Sequence, residues 1–254
     1  MAHSLIPAIE VLVSELSGHA APFYREQWRS ISEFSRLPTT NRDDFIRTPL
    51  ARRSYKLGDF VKIVTTTSGV FLSAWSLQDI AQEPYGVISK RPGVCVADGH
   101  EAMEKALWCY EHDCVPLCAE QAPDLMLREM ETYNTDSIIT DAQSIGGLVP
   151  YLSGHTLPLK GLSVFGTSFP LALLGQCAPF VQETRLVLSL PETGAFAVAE
   201  FSAQPKFLPL PDCYIEEMDG ELVLTKLHRL VTPIVRYKTG VRLGQKYSDG
   251  FSVA

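Results

Sequence analysis

The densest group of metal-ligating side chains in this sequence is Cys109, His112, Cys114 and Cys118. Thiolates and an imidazole suit zinc, but the spacing C-x2-H-x-C-x3-C is not that of a common finger or ribbon. Cys114–Cys118 (CVPLC) also reads as a short apolar strand, whose alternate residues face opposite sides. Buried thiols are the preferred reading, and no metal is expected. With Cys95, Cys177 and Cys213 the set numbers six. Without an export signal, these are expected as reduced thiols in the cytoplasm. Phe165–Pro170 (FGTSFP) has the Gly and Ser of a nucleophile elbow but lacks the second glycine of G-x-S-x-G. Ser168 is therefore expected to cap the helix that follows. His155, in a Gly-His-Thr loop, could act as an acid or base, and His228 is expected on a β surface. Spacing assembles no Ser/His/Asp set, so no catalytic residue is assigned.

The elements that must position such residues are clearest in the middle of the chain. VCVA, CVPLC, SIIT, LSVFG and TRLVLSL are apolar runs separated by the helical patterns EAMEKALWCYEH, PDLMLREMETY, AQSIGGLVPYL and FPLALLGQCAPF. That alternation predicts an α/β fold with a mostly parallel sheet flanked by helices and right-handed crossovers. Ligands on such sheets sit beyond the C-terminal strand ends. Asp98, Asp141, Gly166–Ser168 and Glu192 should therefore share one edge.

Before this core, Leu5, Ile9, Leu12 and Leu16 recur at helical spacing, with Gly18 as a stop. A second helix is expected from Pro22 to about Ile31. Asn41 or Asp43 should cap a third, and Ser76 one beginning LQDIAQ. Phe60–Val64 reads as a strand followed by the loop TTTSG. After Glu192 short strands predict a small antiparallel β-subdomain, with a hairpin turn at Met218-Asp219-Gly220. The expected division is 1–90, 91–192 and 193–254.

A net charge of −7 without a Lys/Arg run argues against nucleic acid and anionic membranes as partners. The N-terminus lacks a basic region, and Glu10 and Glu15 interrupt its apolar run, so no signal peptide is expected. Lys160 to Glu183 encloses an uncharged stretch near membrane-spanning length. Pro170 and Pro179 favour a buried strand, turn and helix instead. Read as a helix, Phe169–Val181 is nearly apolar all round, which predicts either enclosure or a protein interface.

Four segments carry a resemblance: HAAPFYREQWRSISEFSRLPTTNRDDF (19–45), IVTTTSGVFLSAWSLQDI (63–80), SLPETGAFAVAE (189–200) and ELVLTKL…TPIVRYKTG (221–240). In this order they resemble the phenylacetate-CoA ligase-like members of the adenylate-forming superfamily. The resemblance implies that family's N-terminal-domain fold. It also implies a chemistry in which a carboxylate is joined to ATP and the acyl-adenylate is passed to CoA. The residual nucleotide-site positions would be Thr67, Ser68 and Gly69 of the phosphate loop, Glu192 beside Mg²⁺, and Arg236 and Tyr237.

Departures from the family pattern accompany the matches. Val70, Phe71 and Leu72 stand where the family has Thr-Thr-Gly, so the glycine that lets phosphates approach the backbone is replaced. The TTTSG tract then reads as a plain Ser/Thr turn. Val241 stands where an aspartate holds the ribose, removing charge-assisted hydrogen bonds worth about 1.5–3 kcal/mol each. Only Arg242–Ala254 follow, whereas the family's C-terminal domain is expected to need roughly 100 residues. These departures imply a chain that does not carry out the full ligase reaction alone. It would be an accessory or binding protein for an acyl or aryl thioester, or for its acyl carrier protein, in a biosynthetic pathway. No cofactor is expected on this reading, and a second pathway protein or a homo-oligomer are its other partner readings. The alternative is a minimal ligase or thioester-transfer enzyme completed by a partner chain, which would use ATP, Mg²⁺ and CoA.

Overall fold

The computed structural model describes residues 2–19, 21–28, 31, 33–55, 58–85, 91–118, 123–153, 159–227 and 231–254. Its helices are α1 (Ala2–His19), α2 (Pro22–Trp28), α3 (Arg42–Arg47), α4 (Leu50–Arg53), α5 (Leu77–Ala81), α6 (Gly99–Glu111), α7 (Pro123–Tyr133), α8 (Ile145–Leu152) and α9 (Leu171–Cys177). Its first strands are β1 (Phe60–Thr66), β2 (Gly69–Trp75), β3 (Gly93–Cys95), β4 (Leu117–Cys118), β5 (Ser137–Asp141), β6 (Leu159–Gly166) and β7 (Val181–Leu190). There follow β8 (Gly194–Glu200), β9 (Leu208–Pro209), β10 (Cys213–Met218), β11 (Glu221–Lys226), β12 (Tyr237–Lys246) and β13 (Phe251–Val253).

Two units divide the chain, Met1–Asp79 with Pro209–Ala254, and Ile80–Leu208. This differs from the expected three-part division in two ways. The N-terminal helices and the C-terminal strands share one unit. AFAVAE, expected in the C-terminal β-subdomain, is β8 of the other unit, because the short turn 191–193 folds it antiparallel onto β7 in the register Leu190↔Gly194.

In the discontinuous unit, the helical spacing of α1 buries Ile9 and Leu12 against Tyr24 and Trp28 of α2, with Leu37, Leu227 and Val235 closing the cluster. Gly18, expected as a stop, lies inside α1, which runs to His19. Asn41 caps α3: its side chain accepts from the Asp44 N–H at 3.0 Å while the Asp44 carboxylate accepts from the Asn41 N–H at 2.9 Å. Such reciprocal pairing satisfies two backbone donors that a helix start leaves open. Ser76 and Asp79 repeat the device at α5. The strands β10–β13 form an antiparallel sheet. Asp219 (φ 55) and Gly220 (φ 75) make the two-residue hairpin turn expected there.

In the continuous unit the sheet order is β4-β3-β5-β6-β7-β8-β9, parallel from β4 through β7. Buried-on-both-sides strands such as β6, nearly all of whose residues are inaccessible, explain the unbroken apolar runs in the sequence. The chain reverses direction across the sheet between β3 and β5, because β4 lies outside β3. Helices α7, α8 and α9 pack in series. Right-handed crossovers then place α6 on the face opposite these three.

Candidate functional site

The TTTSG tract, which stands at the resemblance's phosphate-loop position and reads as a plain Ser/Thr turn, is a tight hairpin. β1 and β2 pair antiparallel from Phe60↔Trp75 to Thr66↔Gly69, so Thr67 and Ser68 are the entire connection. The Thr66 hydroxyl donates to the Gly69 carbonyl at 2.8 Å and accepts the Gly69 N–H at 3.1 Å, closing the turn on itself. Gly69 has φ 153, and a Cβ there would meet Ile46 at 3.3 Å. β2 was not expected from sequence. Its signal was the alternation from Val70 to Trp75, which puts Phe71, Ser73 and Trp75 inside and Val70 and Leu72 outside. A phosphate cradle needs several successive N–H groups converging on a concavity; here the Gly69 N–H is taken by the Thr66 hydroxyl.

Arg236 and Tyr237 lie in the same unit as this hairpin and are built into its core. Arg236 takes φ 47. Its guanidinium donates to the Glu216 carboxylate at 3.1 Å, to the Ser35 carbonyl at 2.7 Å and to the Leu37 carbonyl, and only 6% of the residue is exposed. Tyr237 is buried, with its ring 5.2 Å from that of Phe45, which in turn meets Phe71 of β2. Val241 is buried too. Beside it the Thr239 hydroxyl donates to the Leu222 carbonyl at 2.8 Å and the Gly240 N–H donates to Glu221 at 2.7 Å, where the β11–β12 register shifts.

The continuous unit gathers the other expected residues. Asp98 and Glu192 follow β3 and β7, Asp141 ends β5 and Gly166–Ser168 end and follow β6, so all share the C-terminal edge of the parallel sheet. At the reversal point Asp141 accepts from the Ala97 N–H at 2.7 Å, from the Ser144 N–H at 2.7 Å and from the Ser144 hydroxyl at 3.1 Å. Its carboxylate thus ties the loop after β3 to the loop after β5. Asp98 caps α6 through the N–H groups of His100 and Glu101. Burial, with the nearby Asp141 charge, pushes the Cys95 thiol up to about 11. Glu192, expected at the rim of a pocket, is fully inaccessible in the turn between β7 and β8. Ser168 was expected to cap the next helix, but Pro170 occupies that position without a side-chain hydrogen bond.

Sequence reasoning missed a buried ionic network in this unit. Lys105 donates to Glu104 at 2.6 Å and to Glu101 at 2.9 Å, and stands 4.2 Å from the Phe165 ring centre. The Tyr85 hydroxyl reaches Glu104 at 3.2 Å and Glu83 at 3.3 Å, and the Glu83 carboxylate accepts the Ala195 N–H at 2.7 Å. Burial, then the charges of Glu83 and Glu104, hold the Tyr85 hydroxyl well above the usual tyrosine pKa. On a helix, Glu101 and Lys105 read as an ordinary exposed i,i+4 pair. Only the burial of Lys105 distinguishes them.

Cys109 and Cys114 are buried thiols. The Cys114 thiol donates to the His112 carbonyl, and the His112 ring lies 4.2 Å from that of Trp108. Among the described residues, no three His, Cys, Asp or Glu side chains converge as a metal site. The Cys118 side chain, His155 and His228 lie outside the described residues. No helix among the described residues is long and apolar enough to cross a membrane. α9 buries Leu174 and Cys177 and exposes the small residues Ala172 and Gly175.

No protein-family model and no curated protein matches the chain. Solved structures do. A variant of Escherichia coli MenE with bound OSB-AMS matches 76% of this chain at 15% identity and a TM-score of 0.57. The Klebsiella oxytoca NpsA N-terminal subdomain, in complex with anthranilyl-AMSN, matches 76% at 15% identity and a TM-score of 0.60. The amide bond synthetase McbA from Marinactinospora thermotolerans matches the same share at 14% identity and a TM-score of 0.60. The fold is that of the adenylate-forming enzymes. The chain spans about half the length of MenE and McbA, 47% and 48%, and 62% of the NpsA subdomain. On this adenylate-forming fold, the hairpin turn and Arg236–Tyr237 belong to one unit and Glu192 to the other.

Proposed function

We propose that this chain is a binding protein for an acyl or aryl thioester, or for the carrier protein presenting it, and that it does not activate carboxylates with ATP. The observation that carries the reading is the connection between β1 and β2. It is two residues long where the resemblance to phenylacetate-CoA ligases leads one to expect a phosphate loop. A triphosphate held without a cradle of N–H groups would need compensating cations. Arg236, the arginine at the matching turn, already spends its donors on Ser35, Leu37 and Glu216.

Acyl recognition has separate requirements, since it depends on apolar walls rather than on phosphate contacts. Supporting it, Bacillus subtilis MenE, 11% identical with a TM-score of 0.58, is bound with its product analogue OSB-NCoA. The K. oxytoca NpsA-ThdA structure is an artificially fused adenylation-PCP di-domain. The C-terminal edge of the parallel sheet, at Asp98, Asp141 and Gly166–Ser168, is where such sheets receive ligands. The protein is expected to work in the cytoplasm.

Calorimetry with ATP and AMP, with and without Mg²⁺, is expected to show no binding, whereas a phenylacetyl or benzoyl thioester of N-acetylcysteamine or CoA should bind. Micromolar ATP binding would overturn the reading in favour of an enzyme completed by a partner chain, and pyrophosphate release by the chain alone from a panel of aryl and fatty acids above about 1 s⁻¹ in favour of a minimal ligase.

A further inference from the structure

α6 buries Glu104, Lys105, Trp108 and Cys109 on one side. The other side carries a second apolar stripe: Met103 is 54% exposed, Tyr110 is 60% exposed, and the half-buried Leu107 lies between them. The spacing i, i+4, i+7 aligns these three along one helix face. Single exposed apolar residues need no explanation. An aligned exposed stripe on a helix that lies across the sheet from α7, α8 and α9 is a different matter.

The electrostatics of this stripe are one-sided. From Asp98 to Asp141 the chain has eleven Asp or Glu against two Lys or Arg, so the net charge of −7 is concentrated there. On α6 itself Lys105 is buried in its own ion pairs. Beyond Tyr110 come the exposed Glu111 and Asp113, which have no basic partner among the described residues, and the last turn of α6 holds no base. Acids at a helix C-terminus oppose the helix dipole, which favours cations there. The stripe is thus flanked by exposed negative charge at the end where a positive charge is best received.

We propose that this face of α6 docks a basic amphipathic helix of a partner protein. The partner's apolar residues would cover Met103, Leu107 and Tyr110, and its Lys or Arg would lie against Glu111 and Asp113. The mode is helix against helix, with anchors at i, i+3/i+4 and i+7. α6 is about 20 Å long, enough for three such anchors. The surface is independent of the thioester reading, since none of its contacting residues, Met103, Leu107, Tyr110, Glu111 and Asp113, lies at the strand edge.

The test is fluorescence anisotropy with the full chain and a labelled helical peptide of about 18 residues, with leucines at i, i+3, i+4, i+7 and lysines elsewhere. Saturable binding at about 50 mM salt that weakens as salt rises is expected. Met103→Ser and Tyr110→Ser should each weaken it about tenfold. Glu111→Gln with Asp113→Asn should do likewise and flatten the salt dependence. Glu129→Gln with Glu217→Gln, which removes the same charge elsewhere, should leave binding unchanged. The idea fails if this control weakens binding equally, if a peptide with glutamates for lysines binds as well, or if the Met103 and Tyr110 variants bind like the parent. Sedimentation showing a dimer that Tyr110→Ser dissociates would also overturn it, assigning the stripe to a second copy. Far-UV circular dichroism verifies that every variant stays folded.

Discussion

Arg236 spends a left-handed backbone conformation, uncommon for any residue but glycine, on reaching the Ser35 and Leu37 carbonyls and Glu216. Arg236→Met should lower stability by about 3 kcal/mol, because it strands a partly buried carboxylate and two carbonyls. Urea unfolding checks this. A nucleotide-binding arginine would instead leave stability nearly unchanged.

Lys105 and Tyr85 make a pH prediction. Burial alone would lower the lysine pKa, but the Glu101 and Glu104 carboxylates outweigh it and hold Lys105 above its ordinary value, while Tyr85 is raised by burial and by Glu83 and Glu104. Both groups hold their protons more tightly folded than unfolded. Their contribution is therefore complete below about pH 10, where the unfolded side chains begin to titrate, and falls as pH rises beyond it. Urea midpoints measured from pH 8 to 11 should drop steeply above about pH 10, and Tyr85→Phe should make that drop shallower. An equal slope in the variant would remove Tyr85 from the account.

At the scale of elements, the β1–β2 hairpin depends on its turn. Gly69→Ala should cost roughly 1–3 kcal/mol, since φ 153 disfavours a side chain and the added Cβ presses on Ile46. Asn41→Ala should cost about 1 kcal/mol by removing one half of the α3 capping box. Thermal or urea unfolding reads both. These elements also show what was legible. The Asn41 and Ser76 caps, the Asp219-Gly220 turn and the five parallel strands follow from local chemistry and periodicity, which neighbouring residues suffice to express. β2 was missed because Val70–Leu72 were compared with the resemblance's phosphate loop, although alternating Val, Phe and Trp favour a strand. β8 was assigned to the wrong sheet because AFAVAE fits either. The turn after Leu190, which buries Glu192, decided it.

For the whole molecule, the prediction concerns mass action. A ligand at 500 times its dissociation constant adds about 3.7 kcal/mol to stability. Millimolar ATP with Mg²⁺ is expected to leave the thermal unfolding midpoint unmoved, while a bound aryl thioester should raise it. A shift with ATP alone would contradict the proposed loss of nucleotide binding. The alternation of apolar runs and helices settled the α/β class and the shared edge of Asp98, Asp141, Gly166 and Glu192, because period is local and each strand-helix-strand crossover returns the chain parallel. Tertiary structure alone decided which charged residues are buried. Arg236 meets carbonyls about 200 positions away, and Glu83 meets the Ala195 N–H across 112 positions. Whether a polar side chain faces water or a distant backbone depends on packing between remote segments, and no spacing within a segment records it.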